Sequence, residues 1–175
     1  MTALIVFESM FGNTEAVARA VAAGVAEHLP VEVVGVAAAP ARIDGYDLVV
    51  VGGPTHALGM TRASTRKAAL DQGATGAAGP GVREWLAGLE RPGGRPRAAT
   101  FDTRIRARGV PGSAAKAMRR RLRRIGADVS PGAASFWVGG TPGPLLDGEL
   151  RRAERWGASL AARVAPSARG PVASA

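Results

Sequence analysis

The sequence predicts an α/β fold in which a five-stranded parallel sheet is covered by helices on both faces, as a three-layer sandwich. Short apolar runs of the length of buried strands alternate along the chain with stretches of helical periodicity. Glycine and proline clusters separate many of these segments. The length of 175 residues and the hydrophobic content of 46% suit one domain with one sizeable core.

The first part of the chain supplies three of the predicted strands. The apolar run at 3–7 is the first strand, and residues 31–36 form the second. Between them, residues 13–28 carry apolar side chains at helical spacing, which predicts a helix with one buried face. The third strand covers 47–51 and is predicted to end at Gly52-Gly53-Pro54.

The rest of the chain continues the alternation. The further predicted elements are a helix at 61–72, a loop at 74–81, a helix at 82–89, a strand at 97–102, a helix at 113–126, a strand at 134–138 and a loop at 139–144. Asp147 is predicted to cap a last helix whose apolar stripe includes Leu150 and Ala153. Residues 1–165 are expected to form the domain and residues 166–175 a disordered tail.

Composition excludes several classes of chemistry. The chain has no cysteine, which removes disulfides, thiolate catalysis and cysteine-ligated metal centres. Two histidines, His28 and His56, are too few for an ordinary histidine metal site, so no metal is expected. No basic segment precedes the first apolar run and no run reaches membrane-spanning length, so a cytoplasmic protein is expected.

The net charge of +9 is unevenly distributed. Residues 1–60 hold two basic and six acidic side chains, whereas residues 61–175 hold 21 basic and eight acidic ones. Residues 104–124 alone carry nine basic side chains and no acidic one. This block indicates either an anionic partner or a solvated helix face. No nucleic-acid-binding motif accompanies it, so nucleic acid is not the expected partner.

The loop at 9–14, with the sequence SMFGNT, has the features of a phosphate-binding loop. It joins a strand to a helix N-terminus, whose dipole and free N–H groups favour an anion. Gly12 permits close approach, and Ser9, Asn13 and Thr14 can hydrogen-bond. The loop has no lysine and no G-x-G-x-x-G pattern, so the common triphosphate and dinucleotide motifs are absent. The alternative is a plain strand–helix turn.

The pattern I-V-F-x-S-x-x-G-x-T-x-x-x-A-x-x-V at 5–21 resembles the signature of flavodoxins, small α/β proteins that bind FMN and carry electrons. The resemblance implies the strand order 2-1-3-4-5. It also implies that the FMN phosphate is held by the first loop, whose residues are Ser9, Met10, Phe11, Gly12, Asn13 and Thr14.

The same resemblance assigns two further loops to the isoalloxazine ring. The loop after the third strand would cover one side of the ring with Pro54, Thr55, His56, Ala57, Leu58 and Gly59. Gly59 would ease the redox-linked reorientation of a peptide beside flavin N5, and His56 would stack on the ring or simply lie at the surface. The loop after the fourth strand would meet the pyrimidine edge with Phe101, Asp102 and Thr103. The Asp102 carboxylate would accept a hydrogen bond from flavin N3–H, or would be only a turn residue.

The sequence departs from flavodoxins at the ring end. Flavodoxins are usually acidic and usually sandwich the flavin between Trp and Tyr, whereas here Phe11 and His56 are the only nearby rings. The surrounding charges are basic rather than acidic. The arginines in question are Arg62, Arg66, Arg104, Arg106 and Arg108.

Three functions are compatible with these features. The first is an FMN protein that transfers electrons with a redox partner protein, for example an acidic one, or with a small-molecule donor or acceptor. The second is an FMN-dependent oxidoreductase, such as a quinone reductase or a protoporphyrinogen-oxidase-like enzyme, with the segment 61–81 walling a substrate pocket. The third is a flavin-free interaction module. No side chain stands out as an acid–base catalyst.

Overall fold

The computed structural model describes residues 1–56, 58–76, 79–106 and 112–164. Ala57, Arg108 and the predicted tail at 166–175 lie outside these residues. The elements are β1 (Ala3–Phe7), α1 (Asn13–Ala26), β2 (Val31–Gly35), a short 3-10 helix (Val36–Ala38), β3 (Leu48–Pro54), α2 (Ala63–Asp71), α3 (Val82–Gly88), β4 (Arg97–Ile105), α4 (Ala114–Arg124), β5 (Asp128–Val138) and α5 (Glu149–Ala162).

The strands form one sheet in the order β2-β1-β3-β4-β5, which confirms the predicted order. Every neighbouring pair is parallel. The carboxyl ends of the strands therefore share one edge. After β1 the chain continues to β2, which lies on one side of β1, and then crosses to β3, which lies on its other side. The chain connections therefore diverge between β1 and β3. In open sheets of this kind, such a divergence is where ligands bind.

Helices cover both faces of the sheet, as predicted. On one face α1 and α5 bury Val17, Val21 and Leu160 against the strands. On the other, α3 and α4 bury Leu86 and Met118. None of the helices in the described ranges combines the length and apolar character needed to cross a membrane.

The helices α1 and α5 approach each other at two glycines. A Cβ atom on Gly24 would lie 1.9 Å from the Glu154 carbonyl oxygen, and one on Gly157 would lie 2.1 Å from the Val21 carbonyl oxygen. Any larger residue at either position would push the two helices apart. Glycine is therefore required by packing here, despite its low helix propensity.

Strands β3, β4 and β5 extend beyond their predicted limits. β3 runs through Gly52-Gly53-Pro54 because these residues pair with residues 101–103 of β4. A Cβ on Gly52 would lie 2.0 Å from Cζ of Phe101, so this glycine makes room for a core ring. β5 begins at Asp128 rather than at residue 134 and includes Pro131-Gly132, which an edge strand tolerates.

The start of the last helix differs from the prediction. Gly148, with φ 80°, is the N-cap residue of α5, and no side chain caps this helix, so the prediction for Asp147 was wrong. Leu150 is 46% exposed instead of buried. The buried position is taken by Glu149, whose carboxylate accepts a hydrogen bond from the Trp137 N–H at 2.8 Å. This pairing to β5 sets the rotation of the helix and turns Leu150 outwards.

Candidate functional site

A cleft lies at the carboxyl edge of the sheet, where the chain connections diverge. Loops after β1, β3, β4 and β5 all contribute to it. The lining residues are Met10, Phe11, Asn13, Thr14, Pro54, Thr55, His56, Thr103, Arg104, Ile105, Val138, Gly140, Thr141 and Pro142.

One end of the cleft is the N-terminus of α1. Gly12 is its N-cap residue, with φ 84°, and no side chain caps the helix. The first N–H groups of a helix have no intrahelical acceptor, and the helix dipole there favours negative charge. The loop side chains are already engaged: Asn13 Nδ2 donates to the Pro142 carbonyl oxygen at 2.6 Å, and the hydroxyls of Thr14 and Thr103 lie 2.7 Å apart. Backbone amides are therefore the principal groups left to bind an anion here.

Ser9 lies beneath this loop and does not line the cleft. Its hydroxyl is buried and has no hydrogen-bond partner among the described residues. It belongs to an adjoining pocket that also contains Glu8 and Arg66. A buried hydroxyl without a partner is costly, so this oxygen is a place where a ligand or a water would be stabilised.

The other end of the cleft is shaped by a tight turn after β3. The His56 N–H donates to the Gly59 carbonyl oxygen and the Gly59 N–H donates to the His56 carbonyl oxygen, both at 3.0 Å. Leu58 adopts a positive φ of 70° within this turn. Gly59 is thus held at both its N–H and its carbonyl oxygen. Its reorientation, predicted above, would have to break both bonds, whereas Leu58 already has a left-handed backbone.

His56 is half-buried and lines the cleft across from the α1 loop. Burial lowers the pKa of His56 below its ordinary value, and the negative charge of Glu8 only partly opposes this effect. The imidazole is therefore neutral at neutral pH. Together with Phe11 it supplies two rings to the cleft, which are the two rings that the sequence placed near the flavin.

The loop after β4 contributes differently from what the sequence suggested. The Phe101 ring is buried in the core, 5.9 Å from the Phe136 ring centre. Asp102 is also fully buried. Its side chain is not among the described residues that line the cleft, and its Oδ1 atom has no hydrogen-bond partner among the described residues. A hydrogen bond from flavin N3–H to this carboxylate stays a prediction. Thr103 is the residue of this group that lines the cleft.

The buried Asp102 carboxylate organises the cleft from below. Its Oδ2 atom accepts hydrogen bonds from the Thr55 hydroxyl at 2.8 Å, the Ser113 hydroxyl at 2.6 Å and the Ala115 N–H at 3.0 Å. The Thr55 hydroxyl also accepts from the Ala114 N–H at 2.9 Å. These bonds tie the β3 loop, β4 and the start of α4 into one unit.

Sequence reasoning missed the contribution of the loop after β5. Gly140, Thr141 and Pro142 line the cleft, together with Val138 at the end of the strand. The expected site comprised only the loops after the first, third and fourth strands. The signal was present, because this glycine- and proline-rich loop follows a parallel strand and must emerge at the same edge.

Of the arginines predicted to surround the ring, Arg104 lines the cleft. Its guanidinium donates to the Gly112 carbonyl oxygen at 2.6 Å and lies 5.9 Å from the centre of the Trp137 ring. Arg62 and Arg106 are exposed and are not among the described lining residues. Arg66 is buried and forms an ion pair with Glu84 at 3.1 Å.

The segment 61–81 packs against the first loop instead of walling the cleft. The N–H groups of Thr75 and Gly76 both donate to the Met10 carbonyl oxygen at 3.1 Å. The Glu8 carboxylate accepts hydrogen bonds from the Thr61 hydroxyl and from the Val82 N–H. No described residue of this segment lines the cleft, so the expected substrate-pocket wall is not formed by these residues.

Comparison with known proteins shows which proteins this chain and its fold are similar to. Residues 5–83 match the model of the flavodoxin family. The fold is similar to flavodoxin 1 from Bacillus cereus (TM-score 0.68, 21% identity, covering 94% of this chain and 100% of that one). It is also similar to the Streptococcus pneumonia TIGR4 flavodoxin (0.66, 21%, 94% and 100%) and to a flavodoxin, WrbA-like protein from Agrobacterium tumefaciens (0.58, 17%, 93% and 96%). A search of curated proteins found no significant match.

Proposed function

We propose that this chain is a member of the flavodoxin family, whose model matches residues 5–83, that it binds FMN in the cleft and that it acts as an electron-transfer protein. The observation that carries the proposal is the uncapped N-terminus of α1, which opens at Gly12 directly onto a cleft containing two rings. An anion of phosphate type and an aromatic ligand would be accommodated side by side there.

The phosphate end is assigned to the first loop. The backbone N–H groups at Gly12, Asn13 and Thr14 would bind the phosphate oxygens, and the unpartnered Ser9 hydroxyl is proposed as a further donor to this loop. Met10 and Phe11 would form the apolar wall beside the phosphate. The residues present therefore fit a phosphate monoester held by amides rather than by a lysine.

The ring end is assigned to the loops after β3 and β4. Phe11 and His56 would flank the isoalloxazine, with Pro54 and Thr55 beneath it and the turn at Leu58 and Gly59 at its edge. The backbone at Phe101 and Asp102 and the side chain of Thr103 would lie towards the pyrimidine. When bound, FMN supplies reversible one- and two-electron chemistry, and the residues named here hold it and exclude water from one side.

Electron transfer is preferred to an oxidoreductase reaction on the same fold. The segment expected to enclose a substrate contributes no described residue to the cleft. An electron carrier needs a ring edge that a partner can approach. A flavin bound in this open cleft would keep such an edge accessible.

The test compares FMN with riboflavin, which lacks the phosphate. Flavin-free protein would be titrated with each compound while flavin fluorescence is followed. FMN is expected to bind at least about tenfold more tightly, the equivalent of roughly 1.4 kcal/mol from the phosphate. Absence of flavin binding would refute the proposed function, and equal affinities would refute the assignment of the α1 N-terminus.

A further inference from the structure

Helix α4 presents a dense row of cations to solvent. Lys116, Arg120 and Arg124 are spaced four residues apart and therefore lie along one side of the helix. All three are exposed, as are the neighbouring Arg119 and Arg123. The opposite side of the helix is buried in the core. Its buried residues are Ala114, Ala115, Met118 and Leu122.

This row is not neutralised within the described part of the chain. None of its basic side chains forms an ion pair with a carboxylate there, whereas Arg19, Arg42, Arg66 and Arg152 each have an acidic partner. The helix dipole accounts only for cations in the last turn. Lys116 lies in the first turn, where a positive charge is unfavourable, so helix stability does not explain the whole row.

The row begins beside the proposed flavin site. A solvent-open groove is lined along α4 by Lys116, Arg120 and Arg124, and at its head by Leu58 and Gly59. These last two residues belong to the turn whose first residue, His56, lines the cleft. One four-residue turn therefore separates the two sites. Leu58 is 53% exposed, which places an apolar side chain at the head of a cationic groove.

From this arrangement we propose that the groove is the docking surface for an acidic protein that exchanges electrons with FMN bound in the cleft. Charge complementarity steers such a partner to α4, and Leu58 provides the apolar contact that protein interfaces place among polar residues. Nucleic acid would bind to the cations through its phosphates, but an exposed leucine at this position would contribute little to that binding. The redox role of the partner rests on the proposed function, whereas docking itself requires no flavin.

The experiment measures binding to an immobilised acidic plant-type ferredoxin as the probe, with flavin-free and FMN-loaded protein and at several salt concentrations. The groove variant carries Lys116→Glu, Arg120→Glu and Arg124→Glu. Because all three side chains are exposed, the fold should tolerate the changes, and cooperative unfolding would verify this. Leu58→Ser tests the apolar contact independently, without altering charge.

The matched control reverses three exposed arginines on the opposite face of the sheet, at α5 and its C-terminal end. It carries Arg151→Glu, Arg155→Glu and Arg163→Glu, and so changes the net charge by the same amount. General electrostatics would affect both variants alike. A specific surface would be affected only by the changes on α4.

The unaltered protein is expected to bind the ferredoxin with an affinity that falls as salt rises. The groove variant should lose about tenfold or more of this affinity and Leu58→Ser a smaller factor, whereas the α5 variant should stay within about threefold. Equal losses in both charge-reversal variants, or no salt-dependent binding, would overturn the proposal. So would a short DNA duplex that binds more tightly than ferredoxin through the same arginines. Docking without any FMN uptake would support the surface and refute the proposed function.

Discussion

Replacing Gly12 by valine should weaken FMN binding by much more than it weakens the fold. Gly12 is the N-cap residue of α1 at φ 84°, and a Cβ there would meet no atom within 4 Å. The cost to the fold is therefore one residue in the left-handed region, about 1–2 kcal/mol. A Cβ atom at this position adds no clash with the protein.

The cost to FMN binding has another source. The valine side chain would occupy the space in front of the first N–H groups of α1, where the phosphate is proposed to lie. Loss of one hydrogen bond to a charged group costs about 1.5–3 kcal/mol. This corresponds to a decrease in affinity of about 10- to 150-fold. The effect should be confined to FMN, and riboflavin should bind as it does to the parent.

Gly148 provides the matched control. It is the N-cap residue of α5, with φ 80°, and a Cβ there also meets nothing within 4 Å. Urea unfolding should show similar losses for Gly12→Val and Gly148→Val, whereas flavin fluorescence titration should show weaker FMN binding only for Gly12→Val. If Gly12→Val binds FMN as tightly as Gly148→Val does, the phosphate does not lie at the N-terminus of α1.

Three further outcomes are expected. In a redox titration, Arg104→Gln should make the potential for uptake of the last electron more negative by on the order of tens of millivolts. The reason is that a cation near the ring stabilises the anionic reduced flavin. Arg62 lies outside the described cleft lining, so Arg62→Gln should change this potential less. The folded-state pKa of His56 is lowered, chiefly by burial, so its contribution to stability is complete above its unfolded pKa and is lost as the pH falls through the folded value. His56→Gln should therefore flatten the acid side of the pH dependence of the unfolding free energy. Gly157→Ala would place a Cβ 2.1 Å from an α1 carbonyl oxygen and should cost about 1–3 kcal/mol or more in urea unfolding. Gly88→Ala, with nothing within 4 Å, should be neutral or stabilising by up to about 1 kcal/mol.

The elements with strong local signals were predicted correctly. In α1, Val17, Val21 and Val25 repeat at four-residue spacing and all are fully buried. In α4, Met118 and Leu122 are buried and Gly126 ends the helix with φ 100°. Such features depend on residues only a few positions apart, so they can be recognised in the chain itself.

The side-chain roles around the cleft could not be predicted in the same way. Asp102 is buried because Thr55, Ser113 and the start of α4 converge on its carboxylate. Gly59 is held by His56 across a turn, and the loop after β5 lies close to Asn13, more than a hundred residues away in sequence. None of these contacts leaves a periodic trace in the sequence.

The sequence by itself determined the alternation of strands and helices, the buried faces of α1 and α4, and the loop with a free helix N-terminus at Gly12. Periodicity and turn chemistry act over a few residues, and that range is sufficient for these features. Tertiary structure alone decided the lengths of β3 and β5, the burial of Asp102 and the joining of the α4 groove to the turn at Leu58. Each of these depends on pairing or packing between segments far apart in the chain, where the partner and not the local sequence sets the outcome.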